Sequence, residues 1–376
     1  MVYLSNLCNL GCSYCYVAVN QGPARKLELP AVIRSIDYFF QIDPAPGSKL
    51  VSFLGGEPLL DFPFLIESIR HIRNIRGGQD AINVYTNGVL LEKRKVELML
   101  EFGVRIIVSL DGSRNDNDLN RVFAGKKPSS SVYDAVMKRL EKIPKDSLSI
   151  NMVVSPLTAP RLVQNVQFLR SIGFQSINIY PDFKAIWPRK ALAQFDDSMK
   201  DFEIFYASLF RATKTKPFSI ASFSSILLRE SAIRSGNTHW WKECGNLIIG
   251  PDGNFHVCDK AFDSPLKKGH DSIVGNPSKG LDWEKRGARY AEAFRWIQEQ
   301  SAAAGWHFCP MGSYFGQLWY GKSGRQSFQM TLDLASIMSR TFLSLAEKLK
   351  NDLMFQSMYG RAQFLEASIA GSATTL

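Results

Sequence analysis

The sequence predicts an α/β protein: a partial (β/α)6 TIM-like barrel followed by a small C-terminal α+β domain. Three observations carry that prediction. Short β-branched runs alternate with amphipathic stretches six times between Val2 and about Asp182, the pattern of parallel βα units. The alternation then stops and helical spacing takes over. Last comes a segment rich in Gly, Trp and turn signals, among them Pro251-Asp252-Gly253-Asn254, which suits a hairpin-bearing unit.

The strand candidates, in order, are Val2–Leu4, Leu50–Leu54, Ile82–Tyr85, Arg105–Leu110, Ser149–Val154 and Ser176–Tyr180. Helix candidates lie between them. One carries Leu65, Ile69 and Ile72 at i, i+4 and i+7; another carries Leu162, Val166 and Leu169 ahead of Gly173, a C-cap. Each buries one face on the sheet. Whether such units form an open doubly wound sheet or a TIM-like barrel, the active site lies beyond the strand C-termini. Leu192 to Arg234 reads as two helices split near Lys216-Pro217, and Thr331 to Phe364 is helical again, ahead of a frayed tail. The expected organisation is a core barrel over 1–190, a helical bridge over 191–243, a cysteine-bearing domain over 244–325, and C-terminal helices and tail over 326–376.

A chain of 376 residues, 45% hydrophobic, can bury a site several layers deep. It has no run of eighteen apolar residues, and its first ten residues lack the parts of a secretory signal, so a cytoplasmic location and no membrane partner are expected. The formal net charge of +10 suits an acidic partner such as a peptide leader, a phosphate-bearing substrate or RNA. The lysines and arginines are scattered rather than striped, which argues against nucleic acid. Six cysteines fall into two sets of three. In a reducing compartment such clusters are metal ligands or catalytic groups more often than disulfides.

Cys8, Cys12 and Cys15 form C-x3-C-x2-C directly after the first strand. Three thiolates on one short loop can hold three irons of a cubane and leave the fourth iron open; a zinc knuckle or three core cysteines are the plainer readings. Gly55-Gly56-Glu57-Pro58 follows the second strand, its glycines permitting close backbone approach and its glutamate able to accept from an ammonium group. The third strand ends in Thr86-Asn87-Gly88 and the fourth in Ser109-Leu110-Asp111-Gly112. Asp111 suits two ribose hydroxyls, whereas Ser109 and the downstream Arg121 suit a ligand carboxylate. Each alone is also an ordinary cap or turn.

Together these residues resemble the radical S-adenosylmethionine (radical SAM) superfamily, over roughly residues 1–182. The resemblance implies that Cys8, Cys12 and Cys15 bind a 4Fe-4S cluster and that Gly55, Gly56 and Glu57 meet the methionine amine. It places Asn87 and Asp111 near the ribose, Ser109 with Arg121 near the carboxylate, and Asn151 as a further candidate for the same site. No catalytic side chain is singled out.

Cys244, Gly253, Cys258 and Cys309 read as C-x13-C, with glycine five residues before the second cysteine, and then a distant Cys-Pro. This resembles a reduced form of the auxiliary-cluster domains called SPASM and Twitch. Three ligands leave an iron open, or Asp259, His256 or His307 completes the set; free core cysteines or a zinc site with a histidine are the alternatives. Trp240, Trp241, Trp306 and Trp319 flank these cysteines as packing.

The resemblance implies reductive cleavage of S-adenosylmethionine to a 5'-deoxyadenosyl radical, with electrons from a flavodoxin- or ferredoxin-type reductant. The expected substrate is a ribosomally made precursor peptide that is matured by crosslinking. A dehydrogenase of a sugar or aminocyclitol and a sulfatase maturase forming formylglycine are the other enzyme readings. An iron-sulfur or zinc protein without catalysis is the reading from a different class.

Overall fold

The computed structural model describes residues 1–15, 17, 24–42, 48–125, 130–211, 217–236, 245–259, 272–300 and 324–359. Six parallel strands run in chain order: β1 (Val2–Tyr3), β2 (Leu50–Leu54), β3 (Ala81–Thr86), β4 (Val104–Ser109), β5 (Leu148–Val154) and β6 (Ile177–Pro181). Between them lie α1 (Leu29–Ile42), α2 (Phe62–Arg76), α3 (Lys93–Glu101), α4 (Arg114–Asn120), α5 (Val132–Leu140) and α6 (Leu162–Ser171). The alternation of apolar runs and amphipathic helices thus gives parallel βα units, because a parallel crossover needs a helix to return the chain.

Strand parity divides the sheet into two unlike faces. Val51, Phe53, Ile82, Val84, Val104, Ile106, Val108, Ile150, Met152, Ile177 and Ile179 are all buried in one core with helical residues such as Leu65, Ile69, Ile72, Val96, Met99, Val136, Val166 and Leu169. The alternate positions are mostly polar. Ser52 pairs in register with Asn83 and Asn83 with Arg105; Ser109 pairs with Asn151 and Asn151 with Asn178. Between these rows Tyr85 pairs with the buried Ile107 and Ile107 with Ser149; beyond them Tyr180 pairs with Val153. Several of these residues are half-buried and Arg105 is exposed, so this inner face is not packed by helices as the outer one is.

The barrel stays open. β1 pairs on one side with β2 and on the other with β7 (Ile248–Ile249), not with β6. The hairpin of β7 and β8 (Phe255–His256) continues through β9 (Ile273–Asn276) and β10 (Gly280–Leu281), giving one ten-stranded sheet in the order β10-β9-β8-β7-β1-β2-β3-β4-β5-β6. The sheet therefore runs across the expected boundary between the barrel and the cysteine-bearing segment. At the far edge, Ser219 bonds to both Gln175 and Ile177, so a segment of chain covers the polar backbone of β6.

The bridge is two helices, α7 (Arg189–Arg211) and α8 (Ala221–Arg234), and α9 (Trp283–Gln300) follows the hairpin. The C-terminal helix α10 (Gly324–Leu349) packs on α7 and α8. Their seam holds Phe202, Tyr206, Phe223, Phe342, Phe355 and Tyr359 in a run of ring contacts. The Tyr206 and Tyr359 hydroxyls meet at 2.7 Å inside it, satisfying polar groups that burial would otherwise strand. No helix of the described residues is long and apolar enough to cross a membrane.

Candidate functional site

The loop after β1 carries Cys8, Cys12 and Cys15, all half-buried. Its backbone is laddered to the segment that leaves α4: the Gly11 N–H donates to Val122 O at 2.8 Å, Ser13 N–H to Asn120 O at 2.9 Å, and Ala124 N–H to Asn9 O at 3.0 Å. A loop without regular secondary structure is thereby held in one shape. From the turn after β6, Lys184 Nζ donates to the Cys15 carbonyl at 2.8 Å.

The donor set fits an iron-sulfur cluster. Burial pushes the Cys8 thiol up to about 12 and Cys12 up to about 11, and neighbouring thiols push them in the same direction. Cys8 and Cys12 are therefore poor free anions and, as thiolates, good partners for cationic iron. The Cys8 sulfur accepts from Leu10 N–H at 3.3 Å and from Asn87 Nδ2 at 3.6 Å, and the Arg121 charge favours the thiolate of Cys12.

The glycines after β2 are needed for a neighbour within the chain. A Cβ on Gly56 would lie 1.7 Å from Leu7 O, and one on Gly55, at φ +143°, would lie 2.8 Å from Ser5 O. The backbones meet there, with Gly56 N–H on Ser5 O at 2.7 Å and Glu57 N–H on Leu7 O at 2.8 Å. Glu57 is buried and locked: its Oε1 accepts from Thr86 Oγ1 at 2.6 Å and Leu59 N–H at 3.0 Å, and its Oε2 accepts from Asn87 N–H at 2.7 Å. Burial pushes its carboxyl up to about 6. One lone-pair direction on Oε2 remains for a ligand ammonium. Asn87 in turn holds the loop through Asn9 Oδ1, 2.7 Å from its Nδ2.

Asp111 is more fully engaged. Oδ1 accepts from Arg121 Nη2 at 2.9 Å and Val153 N–H at 2.9 Å; Oδ2 accepts from Arg121 Nε at 3.0 Å and Tyr14 OH at 2.5 Å. Those donors fill the four lone-pair directions of a carboxylate. Burial opposes the charge on Arg121, but the Asp111 carboxylate, with smaller contributions from Tyr14 and Cys12, outweighs it and raises its pKa. Ser109 and Asn151 differ from this group. They are half-buried neighbours on the inner face of β4 and β5, and their side chains make no hydrogen bond among the described residues.

Of the second cysteine set only Cys258 is described; Cys244 and Cys309 lie outside the described residues, as do His307, Trp240, Trp241, Trp306 and Trp319. Asp259 accepts from Tyr3 OH at 3.1 Å, which ties the end of β8 to β1 beside the first loop. The ring of Tyr3 packs with Val17, Ile248 and Cys15. His256 uses both ring nitrogens, Nδ1 with Ser272 Oγ and Nε2 with Asp252 Oδ1, each at 2.9 Å. It would have to give up one of these to bind a metal. The contacts of Tyr14 and Tyr3 were not legible in the sequence, because their partners lie 97 and 256 residues away.

The structure is an open parallel barrel with a three-thiol loop after its first strand, a buried glutamate after its second and polar groups along the inner edge of its fourth and fifth. Residues 2–169 match the family model described as the radical SAM superfamily, so that segment is similar to a superfamily of enzymes whose cofactors are a 4Fe-4S cluster and S-adenosylmethionine. An uncharacterized protein of Methanocaldococcus jannaschii is 29% identical over 191 residues, 50% of this chain and 62% of that one. A serine-type anaerobic sulfatase-maturating enzyme of Klebsiella aerogenes is 23% identical over 277 residues, 70% of this chain and 66% of that one. The chain thus spans less than two thirds of either relative. The solved structure of native anSMEcpe with bound AdoMet shares the fold, at TM-score 0.62 and 17% identity, over 89% of this chain and 98% of that one.

Proposed function

We propose that the protein is a peptide-modifying radical SAM enzyme. Cys8, Cys12 and Cys15 would hold the cluster, which with its nucleotide would supply the radical chemistry needed to remove hydrogen from an unactivated carbon. The residues of the chain then have positioning work to do: Glu57 offers its remaining lone pair to the methionine ammonium, and Ser109 and Asn151 offer uncommitted donors and acceptors from the inner face.

The observation that carries a peptide substrate is that inner face itself. Its half-buried Tyr85, Ser109, Ser149, Asn151 and Tyr180 offer donors and acceptors on a sheet left open at the side, which suits the amides of an extended chain better than a compact apolar molecule. The net charge of +10 suits an acidic peptide. Maturation of a ribosomally made precursor by crosslinking is the form of the reaction we favour. Oxidation of a protein side chain to formylglycine is the second reading, favoured by the likeness to a serine-type sulfatase-maturating enzyme. Cys258, with Cys244 and Cys309, would hold an auxiliary cluster, and a flavodoxin- or ferredoxin-type protein of the same cytoplasmic compartment would supply electrons.

The test is anaerobic reconstitution with iron and sulfide, comparing wild type with a Cys8/Cys12/Cys15 triple-alanine variant. About eight irons falling to about four is expected, with 5'-deoxyadenosine formed under dithionite by the wild type alone. Coexpression with peptides encoded beside the gene should then yield a peptide lacking two hydrogens. Tandem mass spectrometry places the change either between two residues, as a crosslink, or on one serine, as formylglycine. Nucleotide cleavage with every peptide unchanged would sink the peptide reading.

A further inference from the structure

We infer that Tyr14, Asp111 and Arg121 form a buried clamp that sets the shape of the cysteine loop before any nucleotide arrives, so that Asp111 and Arg121 are positioning residues for the three thiols. The inference rests on the proposed assignment of Cys8, Cys12 and Cys15 to a cluster.

Geometry carries it. Asp111 and Arg121 are 0% and 5% exposed at their side chains and joined by two parallel N–H···O bonds, the arrangement a guanidinium fork makes with a carboxylate. Tyr14 sits between Cys12 and Cys15, its hydroxyl on Asp111 Oδ2 at 2.5 Å and its ring 5.2 Å from the Arg121 guanidinium carbon. Arg121 also caps α4 and lies inside the stretch 120–124 to which the loop is laddered. Wherever the Asp111 carboxylate holds Arg121, the ladder follows, and with it Gly11 and Ser13 on either side of Cys12. Asp111 is itself fixed from two sides, by Val153 N–H on its carboxylate and by its own N–H on Asn117 Oδ1 at 3.2 Å. The route from β4 and β5 to the thiols is therefore continuous.

This differs from a ribose contact at Asp111. Two hydroxyls could bind only by displacing Tyr14, Val153 or the arginine, since each oxygen already has two donors. Arg121 Nη1 makes no hydrogen bond among the described residues, so the arginine can hold the loop and still face a ligand carboxylate.

The two roles separate in protein free of S-adenosylmethionine. Tyr14→Phe, Asp111→Asn and the double variant are compared with wild type by amide hydrogen exchange at Gly11 and Ser13 without iron, and by iron release to a chelator after reconstitution. Loss of a hydrogen bond to a charged group should speed both by about tenfold or more in each single variant. The double variant should be no faster than Asp111→Asn, because both substitutions open one clamp. The global unfolding free energy of Tyr14→Phe should fall by no more than the local opening free energy at Gly11 and Ser13, with exchange in β2 to β6 speeded by no more than that fall, whereas a general structural defect would lower it further. Single variants with wild-type exchange and iron release, but a raised KM for S-adenosylmethionine, would overturn the clamp in favour of a nucleotide contact. Effects that simply add would also overturn it. If wild type takes up no iron, the functional reading fails, and the exchange measurement still decides the clamp.

Discussion

The two faces of the six-stranded sheet are built from the same strands and differ in almost everything else. On β3, Ile82 and Val84 are buried in the helix-covered core while Asn83 and Tyr85 point the other way; on β5, Ile150 and Met152 alternate with Ser149 and Asn151. Because side chains alternate along a strand, adjacent residues belong to different tasks. The outer face supplies stability through apolar burial. The inner face supplies hydrogen-bonding groups at a site, and the loops at the strand ends join the two. Substitutions one residue apart should therefore have unlike consequences.

The largest expected effect falls where the two tasks meet. Gly56→Ala places a Cβ 1.7 Å from the Leu7 carbonyl oxygen, so the end of β2 and the lead into the cysteine loop cannot both stay in place. Loss of soluble protein, or of the first cluster's iron in any that survives, is expected. Gly11→Ala, with nothing within 4 Å of its Cβ, should keep both yield and iron. Next in size is Ile106→Ala on the outer face of β4, fully buried, which should cost about 2–5 kcal/mol in urea unfolding. Its neighbour Arg105→Ala, exposed on the inner face, should stay within about 0.5 kcal/mol. Equal losses would dissolve the distinction.

A third effect concerns the thiols. Burial raises Cys8 to about 12 and Cys12 to about 11 from 9.0, so near pH 8 their thiolate fractions fall about a hundredfold or more below that of an unperturbed cysteine. In iron-free folded protein, alkylation followed by mass spectrometry should be slower at these sites by about tenfold or more, since the greater nucleophilicity of a more basic thiolate offsets part of the lost fraction. The rate should climb about tenfold per pH unit without a plateau below pH 10, because only the deprotonated form reacts. A plateau near pH 9 would mean that the loop is open to water in the absence of iron.

Much of the outer face was legible in the sequence, since apolar β-branched runs mark a buried strand whatever its neighbours. The C-x3-C-x2-C loop and the Gly-Gly-Glu turn were legible as chemistry because their spacing is local. Two features were not. The pairing of β7 with β1 rests on two-residue strands that leave no period to read. The polar atoms of Glu57, Asn87, Asp111 and Arg121 look in the sequence like groups waiting for a ligand. In the fold most of them are committed to the cysteine loop or to one another. Their partners lie up to 97 residues away, and a strand-end carboxylate carries no local mark of whether a ligand or an arginine will satisfy it.

Ser109 and Asn151 sharpen the comparison most finely, because they are the candidate residues whose side chains remain uncommitted. Both lie on the inner face, directly paired across β4 and β5. Ser109→Ala and Asn151→Ala remove no bond among the described residues, so unfolding free energies should move by less than about 0.5 kcal/mol. If either side chain meets the nucleotide, one lost hydrogen bond should raise the KM for S-adenosylmethionine by about tenfold, with iron content unchanged. The same KM loss from Asp111→Asn should come with faster iron release, since that carboxylate also holds the loop. A raised KM without iron loss at Ser109 and Asn151, against iron loss at Asp111, would place the nucleotide on the open inner face and the clamp behind it. Unchanged KM in both variants would move the nucleotide away from the paired edge of β4 and β5 and leave Glu57 and the loop backbone as its remaining anchors.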